Sequence, residues 1–435
     1  AARAALGGIP QVQAEHAVTS SIIPVGAGRA WRACSVVLVL MLGAAGCVVQ
    51  DERPMAPVVA QKATAEIPQA ELLDVGVRMF DPNIPPDPAE QEKRGIYPDV
   101  RKAESRYMPV LLRDTLESTG QWGQVRVLPA ESSGSDVNIA ARIIESDGSV
   151  LQLAVTVTDA TGRTLLRKDY EGLADTRAYK DVPVKPRDPF DNVYATIAND
   201  LLAARNELTR EQRVQVHQVA NLRFAAELAP YAFQPYLWHD PKRGTFGIAR
   251  LPAEDDPVVQ RMDRVHERDY ALIDTLNEHY TNFGETIDDA YGNWRKYSHE
   301  ELAAAADAKR KALTRGLLGA AAVIGGVMAG QNTNSSAGNA AATAAVIGGI
   351  YAFKSGLDMR AEIKMHDESL KQLGSSFQNE VQPSVVDIEG RTLELKGSAE
   401  QQYAEWRRLL RELYENETGL PATTAEVTQP AAGKP

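Results

Sequence analysis

Cysteine is nearly absent from this chain of 435 residues, which has only Cys34 and Cys47. We therefore expect no disulfide framework and no Cys-rich metal site. The seven histidines form no His-Glu-x-x-His pattern, and the sequence lacks a Gly-x-Ser-x-Gly elbow and a phosphate-binding glycine loop. The residues predict no metal site, no cofactor and no catalytic site, and so a protein that is not an enzyme.

The chain also shows no basic face of the kind that contacts nucleic acid, and its net charge is −11. Residues 1–46 hold Arg3, Arg29 and Arg32 against Glu15, so the remainder is more acidic still. Because binding to nucleic acid usually needs a basic face, we exclude nucleic acid as a partner.

The N-terminal region has an apolar run, residues 36–42, that is too short to span a bilayer. Arg29 and Arg32 form a cationic flank before it, and Ala44-Ala45-Gly46 follow as a small-residue cleavage site. Secretory signals are built in this way. The alternative, a buried apolar helix, usually needs about 10–12 residues or more.

Small residues directly before Cys47 resemble the bacterial lipobox, although Ala44 stands where that family usually has leucine. The resemblance implies that Cys47 is acylated and becomes the mature N-terminus, so that Cys34 leaves with the signal. No Met precedes Met41, and we expect residues 1–46 to combine the signal with an upstream extension. For a lipoprotein of gammaproteobacteria, the resemblance further implies sorting to the outer membrane, because Val48-Val49 stand after the cysteine in place of aspartate.

We predict an α+β fold with a small α/β sandwich domain at its N-terminal end. A long-helical region with a Gly/Ala-rich apolar helical hairpin follows, and then a C-terminal β-hairpin plus helix. The predicted segments are a signal peptide with extension (1–46), a lipidated tether (47–70), the α/β domain (71–207), a helical region with a long helix (208–315), the apolar hairpin (316–353), a helix, β-hairpin and C-terminal helix (354–420), and a disordered tail (421–435).

The predicted elements of the α/β domain follow from apolar alternation and turn residues. They are strands at 72–80, 125–128, 137–144, 150–158 and 164–170, a helix from Asp99 to Gly120 that Pro109 should kink, and a helix at 191–202. Gly162 should supply the positive φ of a tight hairpin.

This order of elements carries the hairpin phrase Thr156-Val157-Thr158-Asp159-Ala160-Thr161-Gly162 and a trailing Tyr170-Glu171-Gly172. It resembles the small α/β domain of envelope lipoproteins, the group with the curli-secretion lipoprotein, the Tol N-terminal domain and flagellar outer-membrane lipoproteins. The likeness covers residues 71–207. It implies a domain that binds proteins or builds rings and does not catalyse.

The middle of the chain predicts helices. Thr209 and Gln212 form a capping-box pattern, Pro230 stops that helix, and residues 231–238 read as a loop. From Asp256 to Arg315, apolar residues three or four apart form a stripe that should pack on a partner helix, here the chain after residue 354 folding back. Its weak points are Gly284 and Gly292. Their helix propensity is low.

No charged residue lies between Arg315 and Lys354. Two apolar arms, 316–330 and 337–353, each contain Ala-Ala-Val-Ile-Gly-Gly and flank a polar tip. Such density of small residues lets helices approach closely. The predicted membrane or oligomer contacts are Gly316, Gly319, Gly325, Gly326, Gly330, Gly348 and Gly349.

Three interpretations of this segment stay open: a hairpin inserted in a membrane, a glycine-zipper contact in a ring, and a tightly packed soluble hairpin. Each arm has only about 15–17 residues, where a spanning helix usually needs about 20. Basic residues stand outside both arms, with Lys309, Arg310, Lys311 and Arg315 before the first. They would lie together at one membrane interface.

After the hairpin we expect a helix to Gln382, strands at 385–388 and 392–395, and a helix opened by a second capping box at Ser398 and Gln401. The predicted function is a structural or assembly lipoprotein of the bacterial envelope, in the outer membrane and facing the periplasm. Its partners would be the membrane through lipid on Cys47, envelope proteins and further copies of itself. The alternative is a subunit of a secretion or export pore, and an envelope hydrolase is less favoured.

Overall fold

The structure, a computed structural model, describes residues 56–129, 134–180, 187–253, 255–328, 384–388 and 391–418. These residues lie in one compact unit, Pro54–Pro435. The described helices and mixed sheet make an α+β fold, as the sequence predicts. The signal, Cys47, Gly330 and the second apolar arm, the helix expected before Gln382 and the tail lie outside the described residues.

A five-stranded mixed sheet has the order β2-β1-β3-β4-β5. The strands are β1 (Val75–Arg78), β2 (Val125–Leu128), β3 (Val137–Ser146), β4 (Val150–Asp159) and β5 (Thr164–Leu173). Strand β1 pairs parallel with β2 and β3, whereas β3, β4 and β5 form an antiparallel meander. Alternate residues of β4 are buried, which is the period of a strand that covers a core with one face.

The helices are α1 (Pro88–Lys93), α2 (Pro98–Glu117), α3 (Asp191–Asn206), α4 (Arg210–Leu228), α5 (Pro230–Phe233), α6 (Pro257–Met328) and α7 (Ala399–Thr418). Two hairpins complete the fold, β6 (Leu237–Asp240) with β7 (Thr245–Ile248) and β8 (Ser384–Ile388) with β9 (Arg391–Leu395).

Local sequence signals account for several of these boundaries. The capping boxes at Thr209 with Gln212 and at Ser398 with Gln401 are both present. Gly162 has φ +83° in the β4–β5 turn, as predicted. Helix α2 runs through Pro109 without ending there.

Two expectations were wrong in their boundaries. The first strand covers only β1, because backbone N–H groups on either side leave the ladder: Asp74 donates to the Asp136 carboxylate, and Phe80 donates to a carbonyl of α2. The segment 231–238 is not a plain loop, since α5 and the start of β6 lie in it. Helix α6 runs through Arg315 into the first apolar arm and is described as far as Met328.

Helix α6 runs antiparallel to α2. The Arg113 guanidinium donates to Thr281, the Tyr107 ring lies against the backbone at Gly284, and Tyr97 contacts Trp294 edge-on at 5.9 Å. A Cβ at position 284 would lie 2.7 Å from the Tyr107 ring. Gly284 therefore serves close packing, and is not simply a weak point of the helix.

The apolar stripe of α6 divides between two hydrophobic clusters. Its earlier residues, among them Leu276 and Tyr280, pack with α4 and α7. Its later residues, Phe283, Ile287, Tyr291 and Trp294, pack with the sheet, α2 and α3. The first half thus contacts chain beyond residue 354, as expected, and the second half packs on the sheet domain. The cluster that contains the sheet therefore includes residues on both sides of position 207, the predicted end of the α/β domain. That domain boundary stays a prediction.

The two edges of the sheet differ. At the β2 edge, the Asn277 carboxamide of α6 accepts the Val127 N–H at 2.7 Å and donates to the Val127 carbonyl at 2.8 Å. Helix α6 thereby occupies the N–H and C=O groups of Val127 on that edge. At the other edge, no strand among the described residues pairs with the outer side of β5.

Candidate docking sites of the tether and the long helix

Residues 56–61, here called the strap, lie along α3 and are held through their backbone. The Asn192 Oδ1 accepts the Val58 N–H at 2.7 Å, and its Nδ2 donates to the Ala56 carbonyl at 3.3 Å. One side-chain amide thus satisfies a donor and an acceptor two residues apart in an extended chain.

Asn199 repeats this arrangement further along α3. Its Oδ1 accepts the Gln61 N–H at 2.8 Å, and its Nδ2 donates to the Val59 carbonyl at 3.0 Å. The seven helical residues from Asn192 to Asn199 advance about 10.5 Å, and three extended residues of the strap advance about 10 Å. The two amides therefore match the repeat of an extended chain.

The strap is bound by its backbone more than by its side chains. Val58 is 41% exposed and Val59 is 72% exposed. Beyond the strap, the Ala63 N–H donates to the Thr119 carbonyl at 2.7 Å, at the end of α2. The later part of the predicted tether is thus docked on the domain, and its first described residue lies beside the N-terminal end of α3.

The second docking site fixes α6 to the sheet domain through a buried ion pair. The Arg295 Nη1 donates to the Asp188 Oδ2 at 2.6 Å, and the two side chains are 5% and 1% exposed. Burial acts to lower the pKa of the Arg295 guanidinium, but Asp188 together with the Tyr291 and Tyr179 hydroxyl groups raises it well above its ordinary value. Arg295 also lies over the Tyr291 ring, 4.2 Å from its centroid.

The buried Glu104 carboxylate joins α2, β3 and α6, and it meets α6 at Tyr291, one helical turn before Arg295. The Glu104 Oε1 of α2 accepts the Ser146 hydroxyl of β3 at 2.6 Å and the Tyr291 hydroxyl of α6 at 2.8 Å. Burial raises the pKa of Glu104, while Arg101, 3.5 Å away, acts to lower it. Such a network is stable only when its members are paired, so it specifies how α6 lies on the domain.

A further contact of α6 with the domain involves the β3–β4 turn. The Ser149 Oγ and His299 Nδ1 are 2.8 Å apart, and the Tyr179 hydroxyl donates to the Gly148 carbonyl at 2.6 Å. A Cβ at Gly148, whose φ is +84°, would lie 2.3 Å from the Arg295 carbonyl oxygen. Three residues after His299, Leu302 is already exposed.

Helix α7 clamps the beginning of α6 around another buried acid. The Asp269 carboxylate accepts the Trp406 Nε1–H at 3.1 Å and the Tyr403 hydroxyl at 3.3 Å. Burial raises the pKa of Asp269, and Arg407 at 3.6 Å opposes that shift. Helix α6 is therefore held at two places about 25 residues apart in the chain.

Two histidine pairs resemble parts of a catalytic triad but are incomplete in the described part of the chain. His217 bonds to Asp136 at 3.1 Å, and that hydrogen bond raises the pKa of the imidazole. No described serine, threonine or cysteine bonds to His217. His299 contacts Ser149, yet no carboxylate among the described residues bonds to its ring to orient it as a base.

A polar groove of about 370 Å³ lies between α2, β2 and α6. Its lining includes Arg113, Glu117, Asp274 and Glu278. Arg113 is already bonded to Asp114, Asn277 and Thr281, so its guanidinium is committed to the protein. Within the described ranges no group of three His, Cys, Asp or Glu side chains is arranged to hold a metal ion.

The predicted contact glycines fall in two groups. Gly316, Gly319, Gly325 and Gly326 belong to the helical backbone of α6, while Gly330, Gly348, Gly349 and the lipidation residue Cys47 lie outside the described residues. Among the helices described, none has a stretch both long and apolar enough to cross a membrane.

Comparison of the chain with protein-family models, with curated proteins and with solved structures gave no match. Sequence analysis missed both docking sites. The seven-residue spacing of Asn192 and Asn199 on one helix was the available signal. The residues they bind, 56–61, lie more than 130 positions earlier in the chain, so no short-range pattern relates the two segments.

Proposed function

We propose that the protein is a lipid-anchored structural or assembly component of a bacterial cell-envelope complex. The observation that carries the proposal is the signal-like segment ending in Ala44-Ala45-Gly46-Cys47. The docked strap supports it, because Asn192 and Asn199 hold residues 56–61, a few positions after Cys47, against the domain. The resemblance of residues 71–207 to envelope-lipoprotein domains supports a role in binding proteins.

Oligomerisation is part of this proposal. The uncharged segment 316–353 offers small residues for close helix contacts, either between copies or in lipid. A second candidate function, a subunit of a secretion or export pore, rests on the same segment. In that function the arms of several copies would surround a channel. A native mass of the detergent-extracted protein separates a ring from a monomer, and a monomer would contradict both the pore and the oligomeric scaffold.

The lipid anchor is tested by metabolic labelling with a fatty-acid analogue. Cys47→Ala should abolish labelling and leave the precursor unprocessed, because the acylated sulfur is lost. Cys34→Ala is the matched control, since that residue belongs to the removed signal, and its labelling should equal that of the unmodified protein. Equal labelling of the Cys47→Ala protein would refute the proposed function.

A further inference from the structure

The outer edge of β5 presents its backbone groups to a further strand. The Ala174 N–H, directly after β5, donates to the Ser149 carbonyl beside β4 at 2.9 Å. Because the backbone groups of an antiparallel strand point to alternate sides, every second residue from 172 back to 166 turns towards β4. The residues between them turn outwards, and no strand in the described part of the chain pairs with that side. They are Arg167, Asp169, Glu171 and Leu173.

The side chains of these four residues, here called the β5 row, lie on the face of the sheet away from α3. Tyr170, which pairs with Leu153, lies in the core, and its hydroxyl donates to Asp200 of α3 at 2.9 Å. Successive side chains of a strand alternate between faces, so the β5 row projects from the other face. All four are exposed, Leu173 by 57%. No described residue forms an ion pair with the three charged members, whose charges are therefore available to a partner.

The β5 row is complementary to itself. Two copies related by a two-fold axis perpendicular to the sheet would align β5 antiparallel to β5 and keep like faces together. With Asp169 on that axis, Arg167 of each copy lies opposite Glu171 of the other, and Leu173 reaches the β-bulge at Leu165. Opposite charges and apolar side chains in such cross-strand positions are stabilising. This register therefore forms an ion pair on each side of the axis and covers the exposed leucine of each copy.

Neighbouring registers fit less well. An axis midway between two residues would bring opposite faces together, so the alternatives are axes at Tyr170 and at Lys168. The first places Asp169 opposite Glu171 twice, and the second places the lysine opposite itself and the exposed leucine opposite no apolar residue. Like charges directly opposite are destabilising. The axis at Asp169 also places two like charges together, but the two arginine side chains reach them from diagonal positions.

From this complementarity we propose that β5 pairs with β5 of a second copy of the chain, so that the sheet continues across a two-fold axis at Asp169. The three central pairs alone would exchange about six backbone hydrogen bonds. A second copy supplies the matching charges by symmetry, in both directions at once. The interface goes beyond the proposed function, because it uses neither Cys47 nor the uncharged segment 316–353.

Disulfide crosslinking tests the axis in the full-length, detergent-solubilised protein. Residues opposite each other in a hydrogen-bonded pair have Cα atoms about 5.5 Å apart, which a disulfide can bridge. Asp169→Cys should therefore give a covalent pair under mild oxidation. Lys168→Cys and Thr156→Cys should not, because their equivalent positions would lie about 8 Å or more apart. The unmodified chain, oxidised in parallel, reports any crosslink through Cys34 or Cys47. No crosslink at 169, or an equal one at 168 or 156, overturns the inference.

Charge reversal tests the cross-strand pairs in the same assay. On the Asp169→Cys chain, Arg167→Glu alone and Glu171→Arg alone should each lower the crosslinked fraction several-fold, because each places like charges opposite each other twice. Combining both substitutions in one chain should restore crosslinking, and so should mixing the two single variants. Residues 167 and 171 lie about 13 Å apart along one strand, so rescue must come from the second copy. Loss without rescue would contradict the register.

Fatty-acid labelling of Cys47 in the same variants separates this inference from the proposed function. The β5 variants should be labelled as fully as the unmodified chain, since they leave the signal and Cys47 unchanged. Normal labelling without a crosslink at 169 refutes the pairing of β5 and leaves the lipid anchor standing. A crosslink at 169 without labelling refutes the anchor and supports the pairing.

Discussion

Replacing Asp188 by asparagine should remove much of the free energy that stabilises the packing of α6 on the sheet domain. The Asp188 carboxylate is 1% exposed and forms a 2.6 Å ion pair with Arg295, which is itself 5% exposed. Asparagine can keep the second contact of this side chain, the Phe190 N–H bound by Oδ1 at 2.8 Å. The substitution therefore removes only the negative charge of Asp188, and it leaves the Arg295 guanidinium buried without a carboxylate partner.

Breaking a buried pair by removing one partner costs about 3–5 kcal/mol. Because the Phe190 contact survives, we expect Asp188→Asn to lower the free energy of unfolding by about 3 kcal/mol, at the low end of that range. Arg295→Met should cost a similar amount, since it leaves the Asp188 carboxylate buried and alone. The double substitution removes both charges, so its cost should be smaller than the sum by about 2–3 kcal/mol.

Urea unfolding of the four proteins, followed by circular dichroism at pH 7, gives this double-mutant cycle. The clamp around Asp269 is about 25 residues away and should keep the first half of α6 in place in every variant. Purely additive costs, with a coupling below about 0.5 kcal/mol, would show that the pair does not hold the helix and would refute the reasoning.

Two further changes test other parts of the core. Burial lowers the pKa of His266 to about 3, so between pH 6.5 and 3 the unfolded chain binds a proton that the folded chain does not bind. The free energy of unfolding should therefore be about 2 kcal/mol lower at pH 5 than at pH 7. His266→Phe should flatten this decline in urea unfolding between pH 7 and 4.5, and an unaltered slope would contradict the role of His266. Gly284→Ala should destabilise by about 1–3 kcal/mol against the Tyr107 ring, whereas Gly292→Ala, with no atom within 4 Å of its added Cβ, should stabilise by about 0.5–1 kcal/mol. Thermal unfolding measures the change in stability of both variants. Equal changes in melting temperature would show that contact with the Tyr107 ring is not the reason for glycine at position 284.

Local signals in the sequence predicted the elements they govern. Thr209 with Gln212 marks the start of α4, and the Asp159 to Gly162 turn marks the β4–β5 hairpin, because caps and turns depend on residues a few positions apart. The alternation of β4 and the stripe of α6 were visible for the same reason.

The parts that sequence reasoning missed depend on contacts between distant residues. Asn199 meets Gln61 across 138 positions, and Arg295 meets Asp188 across 107. Periodicity carries no information about which surface an amide or a charge will meet.

The unequal edges of the sheet limit how this molecule can grow by strand pairing. Within the described residues, Asn277 of α6 blocks strand pairing at Val127 on the β2 edge and no strand pairs with the outer side of β5, so β5 is the edge open to a further strand. Two copies that joined β5 to β5 would turn only occupied edges outward, and addition would stop at a pair. A chain whose long helix detached from β2 would instead present two free edges, the minimum needed for a fibre. Docking of α6 is thus also a safeguard against open-ended polymerisation.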